Sequence, residues 1–423
     1  MLVMDGSAAE AGFEVLVVGA GAAGQMAAIS AAEQGRRVGL LEQMDRPGLK
    51  ILASGGGRCN LTNLVTTEEF INAFGRSGRF MDPALQLMGP SGLRTFMDRL
   101  GLPTVAPDGC HVYPAGGRAI EVQAALRRRL DELGVELHTR TEVIRLRVES
   151  GRPCGVETKT GQRFAGKRVV LACGGRSWPR LGGTGGGYAL AEQAGHKRVE
   201  PLPALVPLVT RETWPSRLAG VSLSKARVRI ARPGHSRAGL VGDVLFTHRG
   251  VSGPVVLNLS GTVASLLRGR GPVPLRIELI AGMDAKRWVH RLDEWRREAG
   301  RRGVASVLRG YLPASVGGLL VELAGVNERT PVSQLTAEQR DTLADLLGGI
   351  ELTVTDTEGF EVAFVTRGGV ALGEVRPETL ESRRLPGLYL AGEILNLDGP
   401  CGGYNLQWAF ASGYLAGRCV AQR

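Results

Sequence analysis

The sequence predicts an α/β protein in which a Rossmann-like nucleotide-binding unit is interrupted by a β-barrel-like and helical insert. Three observations carry that expectation. An apolar strand near the start runs directly into spaced glycines. A second strand ends in an acid about 20 residues later, the spacing of a dinucleotide-binding unit. A proline-broken middle region then gives way to renewed strand-and-glycine patterning.

The first observation is Val15-Leu16-Val17-Val18-Gly19-Ala20-Gly21-Ala22-Ala23-Gly24. Four apolar residues, three of them β-branched, read as a buried strand. Gly19 permits a sharp turn, Gly21 lets a pyrophosphate approach the backbone, and Gly24 lets the helix pack close to the strand. The helix then points free N–H groups at the phosphates. A helical run from Gln25 to Gln34 ends at Gly35, and the strand Arg37-Val38-Gly39-Leu40-Leu41 ends in Glu42. Glu42 is placed to accept hydrogen bonds from a ribose 2′-hydroxyl. The candidate cofactor-binding residues here are Gly19, Ala20, Gly21, Ala22, Ala23, Gly24, Glu42 and Gln43. The unit alone does not choose between FAD and NAD.

Composition narrows the class. The 423 residues leave room for two or three domains. Glycine supplies 61 of them, about twice its usual share of roughly 7%. Six cysteines occur singly, which argues against a disulfide framework, a zinc site or a dithiol. No metal is expected. No run of about 20 apolar residues predicts a membrane span. Residues Met1 to Glu14 lack the pattern of a signal peptide, so a cytoplasmic protein is expected. A net charge of +11 suits an anionic partner, but a solvated arginine-rich surface is the simpler reading.

After Glu42 comes a loop from Lys50 to Asn63 that holds Ser54, Gly55, Gly56 and Gly57, then Arg58, Cys59, Asn60 and Thr62. Three consecutive glycines predict exposed N–H groups rather than a packed element. Lys50, Ser54, Gly55, Gly56, Arg58, Cys59, Asn60 and Thr62 are candidate cofactor contacts: a cation for phosphate and amides for polar ring edges. Cys59 has no partner at a redox spacing and reads as a small contact residue, not a nucleophile.

The opening Gly19 to Gly24 with Glu42, this loop, and a C-terminal run given below resemble the BaiN/aminoacetone-oxidase-like FAD flavoproteins. That family is often described only as NAD(P)/FAD-dependent oxidoreductases. Its strongest marker is Ser54-Gly55-Gly56-Gly57-Arg58-Cys59-Asn60-Leu61-Thr62-Asn63. The resemblance spans nearly the whole chain. It implies an FAD-binding domain of the two-dinucleotide-binding-domain type, with FAD extended. It implies that backbone near Val143 meets adenine. It implies that Ala172, Cys173 and Gly174, after the strand Arg168 to Leu171, return to the pyrophosphate. Cys173 stands where relatives carry Thr. Glu393, after Leu388-Tyr389-Leu390-Ala391-Gly392, takes the role of the acid that hydrogen-bonds the ribityl chain. Gly403, Asn405, Leu406 and Gln407 open the final helix. Its amides would face the flavin pyrimidine edge and stabilise negative charge there.

Between these segments, Phe70 to Gly101 reads as helix broken at Pro83 and Pro90. His111-Val112-Tyr113-Pro114-Ala115 precedes a helix from Ile120 to Leu133. Tyr113 is a candidate residue near the flavin, with a turn aromatic packed on the core as the other reading.

Domain boundaries follow the composition. Residues 1–198 form the first part of the FAD-binding domain, 199–362 an insert, and 363–423 the closing part. Within the insert, 199–280 reads as β-rich, including Ala226 to Ile230 and Gly242 to Phe246, and 281–349 as helical. The insert holds Thr247-His248-Arg249-Gly250-Val251-Ser252 without a Gly-x-Ser-x-Gly elbow. His248 is a candidate acid–base toward substrate, against a structural histidine. Ala285 to Leu308 reads as one basic helix that docks through Trp288 and Trp295, seven residues apart. A nucleic-acid surface is the alternative.

No catalytic dyad is visible, and no second Gly-x-Gly-x-x-Gly supplies a nicotinamide domain. The expectation is an FAD-dependent oxidoreductase acting on a small organic substrate, with NAD(P)H as a transient donor. The alternatives are an oxygen-using, aminoacetone-oxidase-like amine oxidase and a flavoprotein that acts on RNA.

Overall fold

The structure is a computed structural model that describes residues 12–422. Residues 1–11, most of the stretch expected to lack a signal peptide, lie outside the described residues. The chain divides into two units. One runs to Leu202 and resumes at Phe364, and the other is Pro203–Ala363.

The first unit is built on a seven-stranded sheet. Strand β1, Phe13–Val18, lies between β2, Val38–Leu41, and the long strand Arg163–Leu171, parallel to both. Glu136–His138 pairs beyond β2, and Leu388–Leu390 pairs with Val169–Leu171, again in parallel. The first half of Arg163–Leu171 instead pairs antiparallel with Arg152–Thr158, which pairs with Val143–Glu149. Val15, Leu16 and Val17 are completely buried, as a central parallel strand covered on both faces requires.

Helix α1, Ala22–Ala32, has every residue buried. A helix without a polar face needs cover all round. The sheet covers one side. The last helix, Tyr404–Gln422, covers another, backbone against backbone. A Cβ added to Gly413 would lie 2.1 Å from the carbonyl oxygen of Ala23, and one added to Gly417 would lie 2.2 Å from that of Ala27. A Gly-x-x-x-Gly face thus meets an Ala-x-x-x-Ala face. Pro83 and Pro90 prove to be helix starts, in the first turns of Asp82–Met88 and Pro90–Arg99, where a missing N–H leaves nothing unpaired.

His196 pins a distant loop to this unit. It is 4% exposed, with Nε2 2.8 Å from Ser382 Oγ and Nδ1 3.3 Å from Glu374 Oε2. Ser382 Oγ already accepts from the amides of Arg384 and Leu385, so its own proton goes to Nε2. Nδ1 then carries the imidazole proton and faces Glu374. Burial keeps this histidine neutral and lowers its pKa, with Glu374 opposing.

In the second unit six strands close a barrel. They are Leu208–Thr210, Ser222–Ile230, Leu240–Phe246, Gly250–Ser252, Val273–Glu278 and Ile350–Thr357. Val273, Leu275 and Ile277 are fully buried, alternating with half-buried neighbours as a period of two demands. The stretch 199–280, expected to be β-rich, departs from that expectation in one place. Pro254–Arg270 is a helix, although its Val255, Val256 and Val263 favour strand by composition. The last barrel strand, Ile350–Thr357, follows the helices. The expected single helix from Ala285 to Leu308 is also two, Ala285–Glu298 and Val304–Leu308, parted around Gly300 and Gly303. Trp288 and Trp295 are buried and each packs edge-on to Tyr311 at 5.5 Å. No helix among the described residues is long and apolar enough to cross a membrane.

Two outcomes are expected. Gly417→Val forces the two helix backbones apart and costs about 1–3 kcal/mol; an unchanged urea midpoint would contradict the contact. The folded pKa of His196 lies below its unfolded value of about 6.5, so the folded state binds fewer protons. Stability therefore falls as pH drops below about 6.5. Melting curves from pH 8 to 5.5 should show that fall in the wild type and a flatter profile in His196→Gln.

Candidate functional site

The glycine turn performs three separate tasks. Gly19 has φ of +97° and donates its N–H to Leu41 O at 2.7 Å. A Cβ there would lie 2.6 Å from Ala172 O, and one on Gly24 would lie 1.7 Å from Gly19 O. Gly21 differs, because nothing stands within 4 Å of where its Cβ would be. That open face lies directly before the first turn of α1. The amides of Ala22 and Ala23 have no partner within the helix there, and no acidic side chain occupies that turn. The arrangement favours an anion.

Glu42 holds the turn. Its Oε2 accepts from the Ala20 N–H at 2.7 Å and its Oε1 from the Met44 N–H at 2.9 Å. Burial raises its pKa against these hydrogen bonds. The Ala20 amide is therefore engaged by Glu42. Gln43 Nε2 donates to Gly182 O at 2.7 Å. The carbonyls of Glu42 and Met44 accept from Thr141 and Arg140, which leads directly to Val143 at the start of its strand, paired with Thr158. Ala172 donates to Val18 O. Cys173 Sγ points back at the same carbonyl, 3.4 Å away. Burial pushes its thiol up to about 12, so it carries no thiolate. Gly174 has φ of +70° and open space beside it.

The stretch from Lys50 to Asn63 is more ordered than a loop. Leu49–Ala53 is a short helix, closed by Ser54 Oγ on Ile51 O at 2.7 Å. Gly55, Gly56 and Gly57 then turn left-handed and exposed. The Cys59 side chain is fully buried and its thiol is pushed up to about 12. Its thiol belongs to the core, which leaves only its backbone for the expected contact. Thr62–Asn63 forms a strand with His111–Val112, so Thr62 is buried too. Arg58 stays exposed and lies 4.7 Å over the ring of Tyr113. This brings Tyr113 to the glycine turn. Asn60, with its amide oriented to suit its neighbours, donates to Val112 O and Thr62 O and accepts from the Gly403 N–H.

At the last helix, Asn63 Nδ2 donates to Gly402 O at 2.9 Å, and Gly403 packs on the backbone of Thr62. The Asn405 side chain is spent on its own loop, accepting from the Gly399 N–H and donating to Gly399 O and Pro400 O. Leu406 packs on the core. Gln407 turns away, fully buried, with Nε2 on Met88 O at 2.6 Å. The side chains of Asn405 and Gln407 are therefore scaffold, and the expectation at this helix rests on its backbone amides.

Glu393 is the polar centre. Its Oε1 accepts from Ser177 Oγ at 2.7 Å and from the Thr366 N–H at 2.8 Å. Its Oε2 accepts from Lys50 Nζ at 2.7 Å, and the same ammonium donates to Ser177 Oγ. Lys50 and these donors hold the carboxyl below its ordinary value against the cost of burial. Thr366 Oγ1 in turn accepts from the amides of Arg176 and Ser177. Gly392, with φ of +78°, donates to Ser412 Oγ and accepts from Trp408 Nε1. Sequence reasoning missed Ser177 and Thr366, which sit in no local motif. It also missed a dyad, His111 with Asp108, whose spacing of three in a turn was the available signal. His248 lies exposed in the turn before Gly250–Ser252, while Ser252 is buried.

These residues fit an extended dinucleotide such as FAD. The open face at Gly21, the unneutralised start of α1 and the left-handed glycines after Ser54 leave backbone donors where a pyrophosphate and a polar ring would need them.

A family model described as HI0933-like protein Rossmann domain matches residues 13–419. The chain is 36% identical over 411 residues to a 3-dehydro-bile acid delta(4,6)-reductase of Clostridium scindens, covering 96% of this chain and 98% of that protein. It is 29% identical over 415 residues to a ribosomal RNA dihydrouridine synthase of Haemophilus influenzae, covering 97% and 99%. A 3-ketosteroid delta1-dehydrogenase from Sterolibacterium denitrificans shares the fold, with a TM-score of 0.54 at 15% identity over 97% of this chain and 99% of that one.

Lys50→Met leaves the Glu393 carboxylate without its cation and is expected to cost about 3 kcal/mol. Adding Glu393→Gln should recover part of that loss in a double-mutant cycle read by urea unfolding. Strictly additive single effects would contradict the pair. The folded pKa of Glu393 is lowered, so its contribution holds above about pH 4.3 and is lost as pH falls further.

Proposed function

The chain belongs to the HI0933-like Rossmann family and is an FAD-dependent oxidoreductase; we propose that it reduces a carbon–carbon double bond conjugated to a carbonyl in a small organic substrate, with NAD(P)H as donor. The observation that carries this reading is the similarity along 96% of the chain to a delta(4,6)-reductase of a 3-oxo bile acid. The site suits the task. Bound FAD would supply a hydride. The open backbone at Gly21 and the first amides of α1 would hold its phosphates, and Glu42, fixed by Ala20 and Met44, would stand at the ribose end. Lys50 and Ser177 fix the Glu393 carboxylate beside the Gly392 turn, and a site fixed by its own contacts spends little on ordering. The N-terminal turn of the last helix stabilises negative charge that develops beside it. No dedicated nicotinamide domain is visible in the sequence, which suits a donor that visits the flavin and leaves.

A second reading has its own support. The net charge is +11, and a relative 29% identical is a ribosomal RNA dihydrouridine synthase. Making dihydrouridine also saturates a double bond conjugated to a carbonyl, so the same chemistry serves an RNA substrate. Salt-sensitive RNA binding together with consumption of NAD(P)H on RNA would favour it.

The test is anaerobic mixing of the yellow protein with NADH and, separately, NADPH, following the oxidised-flavin absorbance. Fast bleaching by one of them is expected, followed by reoxidation with a conjugated enone. No bleaching over many minutes would overturn the nicotinamide donor and leave amine substrates with oxygen as the next reading. A protein that binds no FAD would overturn the whole reading.

A further inference from the structure

Asp108 and His111 form a dyad against the N-terminal turn of the last helix. His111 opens the strand His111–Pro114 and pairs across to Asn63. Its Nδ1 lies 2.5 Å from Asp108 Oδ2. Asp108 is itself fixed, its Oδ1 accepting from the amides of Cys110 at 2.9 Å and His111 at 2.7 Å. With a carboxylate as its acceptor, Nδ1 is the protonated nitrogen of the neutral ring, and Nε2 is the one that gains or loses a proton. Nε2 faces Gly402, where an added Cβ would lie 3.0 Å from it. The carbonyl of Gly402 is held by Asn63. The imidazole, the glycine turn and the helix start are therefore one rigid locus.

We propose that His111, oriented by Asp108, is a positioning residue that adds positive charge at this turn and raises the reduction potential of the FAD bound beside it. The inference rests on the reading that FAD fills the site with its pyrimidine end at this helix. The helix terminus already carries about half a positive charge. An imidazolium at the same place adds to it, and both favour the reduced, more negative flavin. The His111 side chain is 37% exposed, so water reaches an imidazole, the type of side chain whose charge changes near neutral pH.

Ionisable groups beside the ring are shifted away from the neutral range. Asp108 is held well below the usual carboxylate range by His111 and the two amides. Glu69 is lowered by the Thr66 backbone. Tyr404 is raised, mainly by burial, with Cys110 and Glu69 adding. Burial pushes the Cys401 thiol up to about 11. Arg58 on the adjoining turn stays cationic.

The experiment measures the FAD midpoint potential by dye equilibration from pH 5.5 to 8.5, with sulfite affinity of the oxidised flavin as a second probe of local charge. The variants are His111→Gln, Asp108→Asn and Cys110→Ser. At the acid end His111→Gln should have a lower potential than wild type and about tenfold weaker sulfite binding. The gap should narrow as pH rises. In Asp108→Asn the fall in potential should begin at lower pH, and Cys110→Ser should track the wild type. A His111→Gln protein that holds FAD at the wild-type potential across the range overturns the proposal. If His111→Gln binds no FAD, Asp108→Asn decides, and an unshifted profile overturns it. A wild type that takes up no FAD overturns the parent reading instead, and this one with it.

Discussion

One carboxylate organises the cofactor unit. Glu393 gathers Lys50, Ser177 and Thr366, residues that the sequence scatters along most of the chain. Each contact is short, and each comes from a different segment. An ionised carboxylate this sheltered is stable only when paired and hydrogen-bonded. Its partners in turn have few other ways to satisfy their own charge and hydrogen-bonding groups. The glycine turn after Lys50, the bend at Ser177, the strand that carries Thr366 and the Gly392 turn are therefore held in one arrangement.

Glu42 works in the same way at the other end. It was placed by spacing as a ribose acceptor, and it also ties Ala20 to Met44. A carboxylate has about four acceptor positions, so holding the turn and meeting a ligand are compatible. Acids at a dinucleotide site are thus part of the frame as well as part of the binding surface. Asp398 shows the same habit beside the last helix, engaged bidentately by Arg367.

What the sequence revealed divides along a physical line. The three glycine tasks were legible because each depends on backbone shape within a few residues of the turn. The strand–helix–strand order was legible for the same reason. Side-chain partners were not. Gln407 lies in the run of residues expected to meet the flavin, yet its amide is drawn to Met88, a contact no local pattern announces. Cys59 sits in a glycine-rich stretch that reads as open, but its left-handed backbone turns the thiol into the core. Ser177 and Thr366 become visible only when Glu393 brings them together. In the second unit, the helix Pro254–Arg270 was hidden by β-branched residues whose intrinsic preference tertiary packing overrode, although Pro254 after Gly253 was a start signal.

The contact of Gly413 and Gly417 with Ala23 and Ala27 has a consequence for how the chain is made. Helix α1 precedes the whole second unit in the sequence, and all its residues are buried. Its cover is the last helix, at the opposite end of the sequence. Until that helix emerges, an alanine-rich surface stays exposed while the whole second unit is translated and folds. Long-range closure of this kind is slow, and the uncovered apolar surface is the sort that aggregates or recruits chaperones. The turn at the head of α1 therefore gains its full cover only after the helix Tyr404–Gln422 has been made and docked.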